Sequence, residues 1–254
     1  MQDRGLAAYI AELLGTLLLT FFVCSVVILF VSTGQNAQFG SDFAVIGLVH
    51  AFVLFGLIMM FGIVSGGHFN PAVTIAVAAL RRIDPIDAVV YVLAQLSGGV
   101  LGALLAKGFL LDEGRATDYG AVSPSGLIGG NSQAAMLEAI GTFVLVLVIL
   151  AAVFSLKSPK DWAPLAIGTT LGFAVMVIGP LTGAALNPAR WFGPALVANQ
   201  FSDVWPYLVG PIVGALLAAA VFRFVIEAGG PAPTEPPERT TADVASRTAA
   251  RRAT

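Results

Sequence analysis

Long apolar runs separated by short polar segments are the dominant pattern of the chain. Residues 6–31, 43–64, 86–111, 133–154, 164–178 and 204–226 carry very few charges. A helix of ~20 apolar residues crosses a ~30 Å hydrocarbon core. The pattern therefore predicts six membrane-spanning helices, the fifth shorter than the others. The first run is too long for a signal-peptide core, carries Glu12 and lacks a clear small-residue cleavage site behind it, so it reads as a retained span. After Gly229 the pattern stops. Pro231, Pro233, Pro236 and Pro237 lead into Thr, Ala and Arg, and residues 229–254 read as a disordered tail.

Two shorter segments break the pattern in the same way. Asn70-Pro71-Ala72 and Asn187-Pro188-Ala189 each precede only about ten helix-compatible residues. Asn is a preferred N-cap and Pro a preferred first helical residue, so each triplet marks a helix start with its free N–H groups facing forward. Both starts lie in apolar surroundings, where irregular backbone is tolerated only if it is buried in protein or lines a wet cavity. The two triplets point to a pore.

Composition agrees with a polytopic membrane protein: 57% of the 254 residues are hydrophobic, 11% are charged, and mean hydropathy is +0.88. The net charge of −2 comes from scattered residues, which leaves no electrostatic footprint for a nucleic acid. A single cysteine, Cys24, excludes an internal disulfide and any multi-cysteine metal site, and reads as a packed thiol. Six spans put both termini on one side. Arg4, Arg81, Arg82, Lys157, Lys160, Arg223, Arg239, Arg247, Arg251 and Arg252 then share that side. The positive-inside bias makes it the cytoplasm, with Lys107, Arg115 and Arg190 left for the other side or the interior.

The chain is also duplicated. Ala11-Glu12-Leu13-Leu14-Gly15-Thr16 is echoed by Leu137-Glu138-Ala139-Ile140-Gly141-Thr142, the two Asn-Pro-Ala triplets follow in the same order, and Tyr91 to Gln95 resembles Tyr207 to Pro211. The units cover about residues 6–111 and 133–228. Each holds three spans, so the second lies upside down relative to the first. Inversion points the two short helices at each other from opposite sides. A half-helix of about ten residues rises ~15 Å, and two meeting at the midplane complete one crossing. Their positive dipole ends and both Asn amides then face one central spot, which repels cations. A water accepting from both amides cannot accept from its neighbour in the file, so a proton-conducting chain of waters is interrupted there.

Ser65-Gly66-Gly67-His68-Phe69-Asn70-Pro71-Ala72-Val73-Thr74 and Gly179-Pro180-Leu181-Thr182-Gly183, followed by Asn187-Pro188-Ala189-Arg190, resemble the aquaporin (major intrinsic protein) family over about residues 6–228. The resemblance implies an all-α membrane protein with six transmembrane helices, two re-entrant half-helices and an inverted internal repeat. It further implies a homotetramer with a pore in every subunit, and passive, cofactor-free conduction of water or small neutral solutes, without protons or ions. Residues 1–228 would form the channel domain and 229–254 a cytoplasmic tail, in the plasma membrane.

Arg190 is costly at membrane depth, at least ~2.5–3.5 kcal/mol, and needs a wet site. The resemblance makes it the cation-repelling donor of a selectivity filter and, by the family's spacing, places His50, Val175 and Ala184 at the other filter positions. His50 taken alone also suits helix packing. The four-residue pattern is similar to vacuolar-type plant aquaporins, which suggests ammonia, urea or hydrogen peroxide beside water. Glycerol channels of the family carry Asp after the second motif's Arg, where this chain has Trp191. Phe192-Gly193-Pro194, Leu208 and the Gly179–Gly183 stretch resemble the glycerol branch, and that alternative stays open.

Glu12 and Glu138 occupy matching intramembrane positions. They could be read as a proton relay or metal pair, but are better read as acceptors for the N–H groups of the two re-entrant loops. His68 is expected to tie down the first loop and Gln95 to act as a polar strut. Glycines such as Gly98, Gly99, Gly102, Gly210 and Gly214 permit close helix packing. A coupled secondary transporter shares inverted repeats and broken helices, but normally carries a charge at the midplane, where this chain has amides. An enzyme finds no support. The only histidines are His50 and His68, and neither has a carboxylate at zinc-site spacing.

Overall fold

The computed structural model describes residues 5–32, 41–155 and 158–229. Among these, all regular structure is helical, in the order α1 (Gly5–Ser32), α2 (Ser41–Ser65), α3 (Pro71–Ala79), α4 (Pro85–Phe109), α5 (Leu111–Arg115), α6 (Asn131–Phe154), α7 (Ala163–Thr182), α8 (Pro188–Ala198) and α9 (Val204–Val221), which continues as a π-helical turn over Phe222–Glu227. Six helices, α1, α2, α4, α6, α7 and α9, are long and apolar enough to cross a membrane. The remaining long-known puzzle of the sequence, two short helices after Asn-Pro-Ala, is α3 and α8.

Both short helices begin as their cap chemistry dictates. Asn70 and Asn187 have extended backbones, their side chains accept from Ala72 N and Ala189 N at 2.9 Å each, and Pro occupies the first helical position. Asp84 caps α4 in the same manner through Ile86 N at 2.9 Å.

The fifth span is not short. Helix α7 runs through Pro180 and ends at Gly183, whose left-handed backbone (φ +81°) closes the last turn through a 2.8 Å bond from its N–H to the Gly179 carbonyl. A proline this close to a helix end removes one backbone bond, and the glycine cap restores order directly after it. The third span ends two residues earlier than the apolar run suggests, at Phe109, and the chain turns into the separate helix α5.

Helices pair closely where glycines meet a neighbouring backbone. A Cβ on Gly98 or Gly102 would lie 2.4 or 2.3 Å from the Leu13 or Leu17 carbonyl oxygen of α1. In the second half, one on Gly210 or Gly214 would lie 2.6 or 2.1 Å from the Ala135 or Ala139 oxygen of α6. The α1/α4 and α6/α9 pairs thus repeat one small-residue seam, the kind that lets membrane helices approach. Large apolar residues such as Ile63, 93% exposed, face outward, as a lipid solvent requires.

Basic residues gather at one end of the bundle. Arg82 pairs with Glu227, which also accepts from Arg223 at 2.8 Å, and the Arg82 guanidinium lies 4.8 Å from the Phe154 ring centroid. Lys160 donates to the carbonyls of Ala152, Val153 and Ser155 that close α6. Lys107 lies elsewhere, beside Val197 at the C-terminus of α8. Arg4, Lys157 and the tail over 230–254 lie outside the described residues.

Candidate functional site

The two loops that precede α3 and α8 are held by one carboxylate each. Glu12 accepts from Ser65 Oγ (2.6 Å), His68 N (2.9 Å), Phe69 N (2.7 Å) and Gln95 Nε2 (2.7 Å). Glu138 accepts from Thr182 Oγ1 (2.6 Å), Ala185 N (3.0 Å) and Leu186 N (2.7 Å). Each hydroxyl in turn accepts from a loop N–H: Ser65 from Gly67 at 3.0 Å, Thr182 from Ala184 at 3.1 Å. Tyr91 and Tyr207 buttress the same loops by donating to the Ser65 and Thr182 carbonyls at 2.8 and 2.7 Å. The sequence repeat is therefore a repeat of hydrogen bonds. Ser65, Thr182, Tyr91 and Tyr207 carry roles that the sequence reading did not assign, although the two tyrosines stand at matching places in the repeat.

The halves differ at one strut. Gln95 Nε2 also donates to Thr74 Oγ1 at 2.9 Å, and its buried Oε1 has no partner. The corresponding residue of the second half is Pro211, which offers no amide.

These anchors hold Phe69 (φ 48°) and Leu186 (φ 50°) in the left-handed region, uncommon for large side chains and a mark of backbone fixed by its surroundings. Each carbonyl accepts from the asparagine of the other loop. Asn70 Nδ2 donates to Leu186 O and Asn187 Nδ2 to Phe69 O, both at 2.9 Å. One N–H of each amide is spent on this crossed pair, and the second remains beside the cavity that both asparagines line.

That cavity measures about 70 Å³, room for a file of about five waters. Leu19, Leu54, Ile149 and Leu171 form apolar wall, while Gly66, Gly67, His68, Asn70, Asn187, His50 and Arg190 supply polar groups. His68 both lines the cavity and anchors the loop, its Nδ1 lying 3.0 Å from Thr74 Oγ1.

Arg190 and His50 meet at this cavity while 2% and 3% exposed. Arg190 Nη1 donates to the Gly120 carbonyl at 2.9 Å, and its Nε and Nη2 have no protein partner. His50 Nδ1 lies 2.8 Å from the Ile46 carbonyl. A carbonyl can only accept, so Nδ1 carries the proton and the neutral ring presents Nε2, itself unpartnered, as an acceptor. Val175 and Ala184, each 1% exposed, are not among the lining residues. They pack in the apolar cluster that contains Leu54 and Leu171, directly behind the wall. Gly120, the acceptor that fixes Arg190, lies 70 residues away in the loop after α5 and left no signal in the sequence beyond being a glycine. Trp191 points away from the cavity and stacks on Tyr207 with ring centroids 6.4 Å apart and planes at 12°. No group of metal-ligating side chains occurs among the described residues.

Comparison with known proteins agrees with this geometry. The sequence model of the major intrinsic protein family matches residues 2–222. Nodulin-26 from Glycine max is 39% identical over 218 residues, covering 85% of this chain and 76% of the relative. Glycerol uptake facilitator protein-like 6 from Lactiplantibacillus plantarum is 39% identical over 223 residues (85% and 96% coverage), and probable aquaporin TIP2-2 from Oryza sativa is 36% identical over 232 residues (90% and 91%). Among solved structures, the aquaglyceroporin from Plasmodium falciparum superposes with a TM-score of 0.72 at 25% identity, covering 87% of this chain and 96% of that one. The chain belongs to the major intrinsic protein family and is a multi-pass membrane channel, not an enzyme.

Proposed function

We propose that this channel conducts water, with ammonia, urea and hydrogen peroxide as further neutral cargo, and excludes protons and ions. The observation that carries the reading is the pairing of His50 Nε2 with Arg190 Nε and Nη2, three unpartnered polar atoms on a narrow cavity with an apolar wall. One acceptor and two donors replace part of the hydration shell of a small neutral molecule. The fixed guanidinium repels cations. Val175 and Ala184 complete the filter as the apolar positions behind it. At the crossed asparagines, the remaining N–H groups and both helix dipoles orient each passing water with its oxygen toward them. The donor chain that proton hopping requires is broken there.

Glycerol is the second reading, favoured by the printed activities of two relatives, a glycerol uptake facilitator-like protein and an aquaglyceroporin. Against it, Trp191 stands stacked on Tyr207 where a glycerol channel would carry a carboxylate. Coupled transport is disfavoured because the groups nearest the crossing are amides. We further assign residues 6–111 and 133–228 as the two inverted repeats of a domain over 1–228, a homotetramer in the plasma membrane, and cytoplasmic termini, the last supported by the basic cluster of Arg82, Lys160 and Arg223 at one end.

Stopped-flow shrinkage of proteoliposomes under an impermeant osmolyte, followed by re-swelling in urea and in glycerol, tests the reading alongside Arg190→Val and His50→Ala. Fast water flow with slow glycerol entry is expected, with both variants admitting more urea and glycerol per water. Rapid glycerol entry into the parental vesicles would replace this reading with the second, and water flow no faster than in empty vesicles would end it.

A further inference from the structure

The loop between α5 and α6 is strained where it crosses the filter. Asp118, Tyr119 and Gly120 are consecutive residues with φ of 46°, 53° and 83°. The left-handed region costs non-glycine residues and persists only where the surroundings over-determine it. Gly120 has a second reason to be glycine, since a Cβ there would lie 2.9 Å from Cys24 Cα. The product of this conformation is the Gly120 carbonyl that accepts from Arg190 Nη1.

Tyr119 fixes the strained turn from beside it. Its ring is buried against Gly114, where an added Cβ would meet Tyr119 Cδ1 at 2.4 Å, and the Lys107 ammonium sits 4.5 Å from its centroid. Such a cation over a ring face is attracted by the ring quadrupole, more strongly when partly desolvated. Lys107, on α4, also donates to the Val197 carbonyl at 3.3 Å, near the end of α8. Helix α8 is the one that carries Arg190. The contacts therefore close a ring: from Arg190 to Gly120, across to Tyr119, through Lys107 to Val197, and back along α8. Both ends of the half-helix that bears the guanidinium are tied to one loop by one lysine.

We propose that Lys107 and Tyr119 are positioning residues for Arg190, and that their cation–ring contact sets how large a neutral solute the channel admits. The proposal rests on the reading of Arg190 as a filter residue. Without the contact the turn relaxes, the Gly120 carbonyl leaves Nη1, and the guanidinium samples positions that no longer narrow the passage.

The test is the ratio of urea to water permeability in proteoliposomes, measured for Tyr119→Leu, Tyr119→Phe, Lys107→Met, Lys107→Arg and Arg190→Val at equal reconstituted protein. The Leu and Met variants are expected to raise the ratio about threefold to tenfold. The Phe and Arg variants retain the ring or the cation and are expected to keep the parental ratio, a rescue that a packing role of the same side chains would not give. If Tyr119→Leu does not assemble, Lys107→Met and Lys107→Arg carry the comparison, because Lys107 is only partly buried. A parental ratio in the Leu and Met variants with a raised ratio in Arg190→Val would overturn this inference and leave the filter standing. A parental ratio in Arg190→Val would remove the filter reading itself. A raised ratio in Tyr119→Phe equal to that of the Leu variant would assign the effect to the hydroxyl and also overturn the proposal.

Discussion

Replacing each loop-anchoring carboxylate by its amide separates two sites that look equivalent. In Glu138→Gln, placing the new NH₂ at the Oε2 position opposes it to the Leu186 N–H, which loses a 2.7 Å bond. Neither donor finds an acceptor, because Pro211 occupies the place where the first half has Gln95. In Glu12→Gln the Phe69 N–H is opposed in the same way. Here, however, the Gln95 amide can turn and offer its unpartnered Oε1 to the new NH₂. The two variants differ by one satisfied buried amide, ~1–2 kcal/mol. On top of that, each loses the charge assistance of its remaining bonds, roughly another ~1–2 kcal/mol. Glu138→Gln is thus expected to cost ~3 kcal/mol and Glu12→Gln ~1–2 kcal/mol. For a chain of this size the gap between them corresponds to about 2–8 °C in the unfolding midpoint. Thermal unfolding of the purified proteins in one detergent measures it directly. A midpoint for Glu12→Gln equal to or below that of Glu138→Gln would refute the reasoning, since the strut would then offer no repair.

Two further substitutions probe packing and capping. Gly214→Ala is expected to lower the unfolding midpoint by an amount equivalent to ~1–3 kcal/mol, because its Cβ would sit 2.1 Å from the Ala139 oxygen. Gly108→Ala on α4, with nothing within 4 Å, should instead be neutral or raise it; equal effects in the same melting assay would discount the seam. Lys160→Met removes three donations to the C-terminal carbonyls of α6. It should cost ~0.3–1 kcal/mol and accelerate amide exchange at Ser155, with unchanged exchange arguing that the lysine caps nothing.

The elements legible in the sequence were those fixed by local chemistry. Asn-Pro starts a helix wherever it occurs, so α3 and α8 could be placed from six residues, and span count followed from apolar length alone. Glu12 and Glu138 were legible because an intramembrane carboxylate must find donors and the only irregular backbone in reach was the two loops. The end of α7 was misplaced at Ile178 since Gly179-Pro180 reads as a stop, and only packing carries the helix on to Thr182. The contact between Arg190 and Gly120 was invisible for a different reason. It joins a side chain to a backbone carbonyl 70 residues away, and a carbonyl has no letter in the sequence. Val175 and Ala184 show the same gap: spacing identifies the positions, but whether a residue forms the wall or stands behind it depends on helix rotation, which an almost uniformly apolar helix does not encode.

The crossed asparagine bonds also bear on how such a chain could have arisen. In each, an amide of one half meets the carbonyl just before the asparagine of the other half, over separations of 116 and 118 residues. A contact in which the first element meets the second and the second meets the first is the signature of an isologous dimer interface. The channel axis is, in these terms, the two-fold interface of an antiparallel pair of three-helix units that share one polypeptide. A half-length ancestor with one carboxylate, one loop and one Asn-Pro start would satisfy both loops at once by pairing with an inverted copy of itself. Fusion then needed only a linker, and it freed each half to change alone, as Gln95 and Pro211 have.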